Sequence, residues 1–385
     1  MTNDRCKVVI AGGGTGGHLY PAIAIAEEIK KQAPDIEILF MGTDRGIETR
    51  VLPLEKYYVK LLKTEGFVGM SLRKKITALF RLIVAFFEAY SFLRSVRPSI
   101  IIGTGGYASF VPILAAFLLA IPIVIHEQNS IPGLANRVLA RLADKVCITY
   151  ENSQSYFSKN KVIITGNPVR DKIVKAAKSD GVNMFSLRED LFTLLIFGGS
   201  SGASRLNDAM IETLPILSAY KDKIQFLHQT GNKDYEIVRG AYQRHGFSGT
   251  VTPFIYNMPE AYAVCEMLIS RAGATTLAEI TTIGIPSILV PYPYVSAHQE
   301  ANAARLSNSG AAIMIREQEL TAQTLSRHIV SLYTDASLRN RIRRDCKAFG
   351  KPDAGKKVAC IALMLMKDKS QDYKQEYDRC LTSTE

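Results

Sequence analysis

Four times in this chain a short apolar run ends in a turn that contains glycine. Lys7–Ala11 leads into Gly12-Gly-Gly-Thr-Gly-Gly17, and Ile100–Ile102 into Gly103-Thr-Gly-Gly106. Leu194–Phe197 leads into Gly198-Gly-Ser-Ser-Gly202, and Met267–Ser270 into Arg271-Ala-Gly273-Ala. Short, uninterrupted apolar runs bounded by turns fit strands buried on both faces of a parallel sheet. A helical pattern follows each turn, so the repeating unit is strand, turn, helix, strand, and the fold class is α/β. Ligands of such sheets sit at the carboxyl ends of the strands, where these turns lie.

The stretch from Ser270 to Asn302 carries the most chemistry. Thr275 or Thr276 opens a helix that stops near Gly284, Ser287–Val290 is the next strand, Pro291 to Ser296 is a polar loop, and a helix begins near His298. Free backbone N–H groups at Ala274 to Thr276 suit a phosphate oxygen. Glu279 has the reach to accept hydrogen bonds from ribose hydroxyls, and the amides of Gln299 and Asn302, three apart on one helix face, suit a sugar. Thr276-x-x-Glu279 also fits a capping box, in which Glu279 only closes the helix start. Both readings stand on spacing alone.

A chain of 385 residues has room for two ordinary domains. Its net charge of +11 is compatible with nucleic acid, an anionic membrane surface or phosphorylated ligands. No basic run interleaved with aromatics favours nucleic acid. The six cysteines are scattered without a CxxC pair, which argues against metal ligation and for a reduced compartment. Met1 to Lys7 leads directly into a strand, with no signal peptide. The uncharged run Ser99 to Ile125 has the length of a membrane span, yet Gly103–Gly106, Pro112 and Pro122 divide it into strand, turn, helix and strand.

In chain order, Gly12-x-Gly14-x-x-Gly17 satisfies a dinucleotide pattern and keeps an NAD-dependent oxidoreductase open as an alternative. Against it, the acidic ribose-binding position is filled late, by Asp44 beyond the second strand. Pro21 to Lys31 is an amphipathic helix, and His18 just before it stands at the ligand edge. Residues 66 to 97 hold a loop, Gly66 to Ser71, and then a helix. Ile76, Leu79, Phe80, Ile83, Phe87 and Tyr90 share one side, and Leu82, Val84 and Phe86 lie elsewhere. Arg73, Lys74, Lys75, Arg81, Arg94 and Arg97 flank it. Two apolar faces ringed by cations suit the interface of an anionic bilayer; a helix buried between neighbours is the plainer alternative.

Ile121 to Ile125 is a strand that ends in His126-Glu-Gln-Asn129, at the same edge as His18. Pro132 to Leu142 is a helix and Lys145 to Thr149 a strand. Gly166 and Pro168 mark a bend, and the stretch Ser179 to Ser186 reads as an interdomain linker. Gly198–Gly202 then forms a second pyrophosphate cradle. Leu325 to Phe349 is helical, and the charged tail from Lys367 frays.

Gly13-Gly-Thr-Gly-Gly-His18, Gly105-Gly-Tyr107, His126–Asn129, Gly166-Asn-Pro-Val-Arg170, Gly198-Gly-Ser200, Arg271 to Glu279 and His298-Gln299 occur in an order and spacing that resemble the MurG family of bacterial glycosyltransferases. The resemblance covers about Lys7 to Ala312. It implies a GT-B fold: two Rossmann-like doubly wound parallel-sheet domains, here 1–170 and 187–344, with a C-terminal helix near 345–366 returning to the first. It implies an inverting transfer of GlcNAc from UDP-GlcNAc to undecaprenyl-pyrophosphoryl-MurNAc-pentapeptide, lipid I to lipid II, in peptidoglycan synthesis. Another UDP-sugar-dependent lipid glycosyltransferase is the alternative within the fold.

Carried over by motif, Thr15, Gly16, Gly17, Asn129, Arg170, Ser200, Ile255, Ala274, Thr275, Thr276, Leu277, Ala278, Glu279 and Gln299 contact the donor. Many relatives have an acidic residue where this chain has Ser296-Ala297. The general base is His18 or Glu127, with His18 favoured because its neutral form is available near pH 7. No cofactor and no metal are expected, since no DxD-like pair is placed to bridge a metal and a diphosphate. The resemblance also implies a peripheral enzyme on the cytoplasmic face of the bacterial cell membrane. Its partners would be an anionic membrane surface and other wall-synthesis proteins.

Overall fold

The computed structural model describes residues 6–63, 72–199, 202–293 and 298–367; for 72–79 and 367 it describes the backbone only. Ser200, the loop 66–71, Ser296-Ala297 and the tail beyond Lys367 lie outside these residues, as do the side chains of residues 72–79. The chain forms two compact units: residues 1–170 with 351–385, and residues 171–350.

The first stretch runs β1 (Lys7–Ala11), α1 (Gly16–Gln32), β2 (Glu37–Thr43), α2 (Glu48–Leu54), β3 (Tyr58–Leu62), α3 (Leu72–Val96) and β4 (Ile100–Gly103). It continues α4 (Tyr107–Leu118), β5 (Ile123–Glu127), α5 (Leu134–Leu139), β6 (Lys145–Ile148) and β7 (Val162–Ile164). After it come α6 (Asp171–Lys175), α7 (Lys178–Met184), β8 (Phe192–Phe197), α8 (Ser204–Thr213), β9 (Ile224–Gln229), α9 (Tyr235–His245) and β10 (Ser248–Thr252). Then follow α10 (Met258–Val264), β11 (Met267–Ser270), α11 (Ala274–Ile283), β12 (Ser287–Leu289), α12 (His298–Ser307) and β13 (Ile313–Met314). Three helices close the order: α13 (Ala322–Thr334), α14 (Ala336–Lys347) and α15 (Ala354–Lys367).

In the first unit seven parallel strands lie in the order β3-β2-β1-β4-β5-β6-β7. Side chains alternate across a strand, so β1 feeds two cores. Val8 and Ile10 join Leu19, Ile23 and Ile29 of α1 and Val358, Ile361 and Leu365 of α15. Val9 and Ala11 join Ala85, Ala89 and Leu93 of α3 and Val111 and Ile113 of α4. In the second unit six parallel strands run β10-β9-β8-β11-β12-β13.

Some expectations move. The first helix starts at Gly16 rather than Pro21, which lies inside it. As the sixth residue of that helix, Pro21 removes one intrahelical N–H donor, and the helix continues through it to Gln32. The stretch expected as a linker holds α7, seated on α10: a β-carbon on Gly181 would meet the Glu260 carbonyl oxygen at 2.4 Å, so only glycine lets the two helices come this close. Leu325–Phe349 is two helices, because Asp335 turns extended and its carboxylate caps Leu338 N at 2.8 Å.

The two-faced helix resolves into an inner and an outer stripe. Ala85, Ala89 and Leu93 are buried, while Phe80 and Phe87 are 67% and 64% exposed. Tyr90, expected beside them, packs against the core side, with its ring 6.2 Å from that of Phe86. Leu93→Ala therefore lowers the unfolding free energy by about 2–5 kcal/mol, and Phe87→Ser by no more than about 0.5 kcal/mol. Urea titration followed by circular dichroism distinguishes the two.

Candidate functional site

The first unit's ligand edge gathers the loops after β1, β4 and β5, which are neighbours in the sheet. Thr15 is the N-cap residue of α1, Gly16 and Gly17 form its first turn, and His18 follows. His18 Nδ1 lies 3.0 Å from the Thr104 carbonyl oxygen, and Gln128 Nε2 donates to the same oxygen at 2.6 Å. A carbonyl can only accept, so the Nδ1 bond requires its proton there, and in the neutral ring the basic lone pair is on Nε2. Gly105 and Gly106, at φ +93 and +74, pass directly beside the imidazole. A β-carbon at either position would lie 3.1 Å from the ring as well as in the left-handed region.

Glu127 is placed differently. Its Oε1 accepts from Asn129 N at 2.9 Å and Asn129 Nδ2 at 3.1 Å; its Oε2 accepts from Gly133 N at 3.2 Å and Asn136 Nδ2 at 2.9 Å. The carboxylate is buried, and four donors hold it as a clamp on the loop that presents Asn129. His126 is buried beneath, with Nε2 donating to Gly166 O at 3.0 Å; burial pushes its pKa down to about 4. Arg170 is buried with its guanidinium 4.0 Å from the centre of the Tyr20 ring, a cation–π contact that ties the end of this stretch to α1.

Glu48 was not singled out in the sequence. Its fully buried carboxylate accepts from Gly14 N at 2.8 Å, Thr43 N at 2.7 Å and Thr43 Oγ1 at 2.8 Å. A β-carbon on Gly13, Gly42 or Gly46 would fall 2.0–2.6 Å from its side chain. The glycine-rich loop is therefore shaped around a carboxylate from the next strand's loop. The available signal was Gly42-Thr-Asp-Arg-Gly46-Ile-Glu48, an acid at a helix start behind two glycines.

In the second unit, α11 starts at Ala274 with Gly273 as its N-cap residue and no side-chain cap. The capping box is thus not formed. The amides of Ala274, Thr275 and Thr276 form the first helical turn, where N–H groups have no partner within the helix. Leu277 is core, Ala278 is half-buried, and Glu279 is buried and accepts from Tyr262 Oη at 2.9 Å. Arg271 holds the turn from behind, donating to Val290 O and Pro291 O at 3.2 and 3.3 Å and pairing with Glu317.

Gln229 is a second residue the sequence reading passed over. Its Nε2 donates to Gly199 O at 2.7 Å and its Oε1 accepts from Ile255 N at 2.9 Å, so it joins two loops of the same edge. Behind it, buried His228 accepts from Tyr242 Oη at Nδ1 and donates from Nε2 to Asn207 Oδ1; burial lowers its pKa to about 3. Gln299 Oε1 accepts from Tyr292 N at 3.0 Å, while Asn302 is buried. The structure thus gathers Thr15–His18, Glu127 and Asn129 at one edge, with Arg170 against α1. In the other unit Ile255 is tied to Gln229 and Ala274–Glu279 stand on α11.

Residues 8–148 match the glycosyltransferase family 28 N-terminal domain and residues 193–358 its C-terminal domain. A UDP-N-acetylglucosamine–N-acetylmuramyl-(pentapeptide) pyrophosphoryl-undecaprenol N-acetylglucosamine transferase of Thermodesulfovibrio yellowstonii is 45% identical over 364 residues, 94% of this chain and 100% of that protein. One of the same name from Myxococcus xanthus is 41% identical over 94% of this chain and 93% of its own. The crystal structure of Acinetobacter baumannii MurG is similar with a TM-score of 0.69 at 27% identity, over 93% of this chain and 99% of that one. A UDP-GlcNAc 2-epimerase from Neisseria meningitidis, 17% identical over 93% of this chain and 100% of its own with a TM-score of 0.67, shares the fold.

Two stability outcomes follow from these contacts. Glu48→Ala strands three donors and costs about 3 kcal/mol; Glu48→Gln, which keeps an acceptor for Thr43, loses less in the same urea titration. The folded-state pKa values of His126 and His228 lie below the unfolded 6.5. The unfolded chain therefore binds more protons below pH 6.5, and stability present above that pH is lost as pH falls through about 4 for His126 and about 3 for His228. The urea midpoint should drop through this window, with a shallower drop in His228→Gln.

Proposed function

We infer the chemistry of this chain from one premise: it belongs to glycosyltransferase family 28, among the MurG-type N-acetylglucosamine transferases. It is a UDP-GlcNAc-dependent glycosyltransferase that moves GlcNAc from UDP-GlcNAc to undecaprenyl-pyrophosphoryl-MurNAc-pentapeptide, lipid I to lipid II. The observation that carries this is 45% identity over 94% of the chain and the full length of a transferase of that name. It also sets aside the oxidoreductase alternative.

In our reading the second unit holds the donor. The first-turn amides of Ala274–Thr276 suit the diphosphate, and the helix dipole favours its charge. Glu279, oriented by Tyr262, suits the ribose hydroxyls. Ile255 has its N–H committed to Gln229, so its carbonyl is the backbone group to offer uracil. Gln299, with Oε1 committed to Tyr292 N, offers its NH2 to a sugar oxygen. Ser200 keeps the pyrophosphate role implied by its motif.

The 4-hydroxyl oxygen of the muramyl sugar attacks the anomeric carbon, the bond to the UDP oxygen breaks, and its electron pair leaves on UDP. The hydroxyl proton goes to His18 Nε2. What supports His18 over Glu127 is bonding: His18 has its other nitrogen fixed by Thr104 O, whereas Glu127 accepts from four structural donors. Developing charge on UDP meets backbone N–H groups already in place. Thr15, Gly16, Gly17, Asn129 and Arg170 complete the donor contacts in this reading.

Among the described residues no helix is long and apolar enough to cross a membrane. We place the enzyme as a peripheral protein on an anionic, cytoplasmic membrane face, resting on Phe80, Ile83, Val84 and Phe87, which are 41–67% exposed on α3.

Radiolabelled UDP-GlcNAc with lipid I, in the presence of chelator, should give labelled lipid product; UDP binding without product would move the acceptor to another lipid. His18→Ala should lower kcat about 100-fold or more with UDP binding retained. Intact turnover in His18→Ala with loss in Glu127→Ala would reverse the base. Phe80→Ser/Phe87→Ser should lose sedimentation with anionic vesicles while keeping its circular dichroism spectrum.

A further inference from the structure

Beside the His18 edge a cavity of about 260 Å³ is lined by Asp44, Arg45 and Lys63, from the ends of β2 and β3, and by Phe80, Arg81 and Val84 of α3. No donor contact and no catalytic step assigned above uses it. Among its described lining residues are three cations, Arg45, Lys63 and Arg81, and one carboxylate, Asp44, beside the apolar side chains of Phe80 and Val84. An occupant that satisfies both is an anion bonded directly to hydrocarbon.

We propose that this cavity receives the junction of diphosphate and polyprenyl chain in the acceptor, a subsite that rests on the acceptor reading above. Arg45, Lys63 and Arg81 face the phosphate oxygens, and Phe80 and Val84 face the first isoprene carbons. Among the described lining residues Asp44 is the one carboxylate beside three cations. A second donor molecule would supply the anion but no hydrocarbon for the α3 wall.

Position supports the same occupant. In the sheet order β3-β2-β1, Asp44 and Arg45 follow β2, one strand from the loop leading to His18, and Lys63 follows β3, two strands away. Two strand spacings are about 10 Å. In the muramyl sugar the attacking 4-hydroxyl and the phosphorylated anomeric oxygen stand at opposite ends of the ring. An acceptor with its 4-hydroxyl at His18 Nε2 therefore carries its diphosphate away by about a ring's length plus a phosphate, the same order as the strand offset. Beyond the cavity, α3 continues with Ile83 and Phe87 exposed, and Val84, Phe87 and Phe92 line a further cavity of about 590 Å³ together with Lys60, Glu88 and two serines. The chain is led along the helix that faces the membrane in our reading.

The test uses the full chain and a soluble acceptor in which a ten-carbon prenyl group replaces undecaprenyl, so that no vesicle is needed. In Lys63→Ala/Arg81→Ala the acceptor KM should rise about 10- to 100-fold, the size of a lost charge-assisted contact, while the KM for UDP-GlcNAc stays within about twofold of wild type. Geranyl diphosphate should compete with the acceptor in wild type and lose that competition in the variant; inorganic pyrophosphate should compete far more weakly. All three cationic side chains reach the surface, and Arg45→Ala, with an unchanged circular dichroism melt, provides a second variant. Unchanged acceptor KM and unchanged geranyl diphosphate inhibition in both variants would overturn the subsite, even with vesicle binding reduced, and would leave these cations to general membrane docking. Wild-type protein that binds UDP but turns over neither this acceptor nor lipid I would instead overturn the acceptor reading, and the subsite with it.

Discussion

Everything here depends on the burial of two parallel sheets on both faces. A parallel strand cannot turn one face to water while helices cover both, so its side chains are committed to packing and its backbone groups to the ladder. Only the strand ends escape that commitment. Backbone N–H groups, carbonyls and short polar side chains accumulate there, and among the described residues Thr15–His18, Glu127, Asn129, Ile255 and Ala274–Thr276 stand at such an end or on the first turn after it. Val8 to Ala11, all fully buried, illustrate the division: four residues of core, then a loop that carries chemistry.

Loops at such edges are useful only if they are held. In this chain the holding groups are buried polar side chains, each bonding the backbone of a different loop. Glu48 fixes Gly14 from the β2 end, Glu127 fixes Asn129 and Gly133, Gln229 joins Gly199 to Ile255, and Arg271 ties the α11 turn to the end of β12. Burying a carboxylate is costly unless its oxygens are filled by donors. That requirement makes each clamp specific: the loops must adopt the geometry that fills it. The result is an edge whose donors and acceptors are in place before a ligand arrives. Thr104 O does the same for His18, whose tautomer is set by a carbonyl from a neighbouring strand.

The helix α3 shows how one element serves core and surface. Small residues, Ala85 and Ala89, let it approach the sheet and α4 closely, and Leu93 anchors it. Its large side chains Phe80 and Phe87 are consequently left outside, next to Arg81 and above Lys60 and Lys63. An exposed apolar stripe with basic neighbours has the character of a contact surface. It belongs to the same unit as the edge that holds His18.

The sequence by itself determined the class of fold, the order of the strands along the chain, and the glycine turns, because apolar runs and turn residues are local signals. It also determined the family, because the motifs recur in a fixed order that no single motif could supply. Start points were less legible: Gly273 rather than Thr275 or Thr276 precedes α11, and Gly16 rather than Pro21 opens the first helix, since backbone geometry outweighs the preference of single residues. Ser179–Ser186 looked unstructured by composition, yet helix formation there is decided by packing on α10. Only the tertiary structure decided which polar residues clamp loops together. Glu48 and Gln229 act across 34 and 26–30 residues of sequence, and the carboxylate of Glu127 accepts from donors that spacing cannot reveal. Hydrogen bonds between distant loops leave no periodic trace in a chain, and that is why they had to be seen folded.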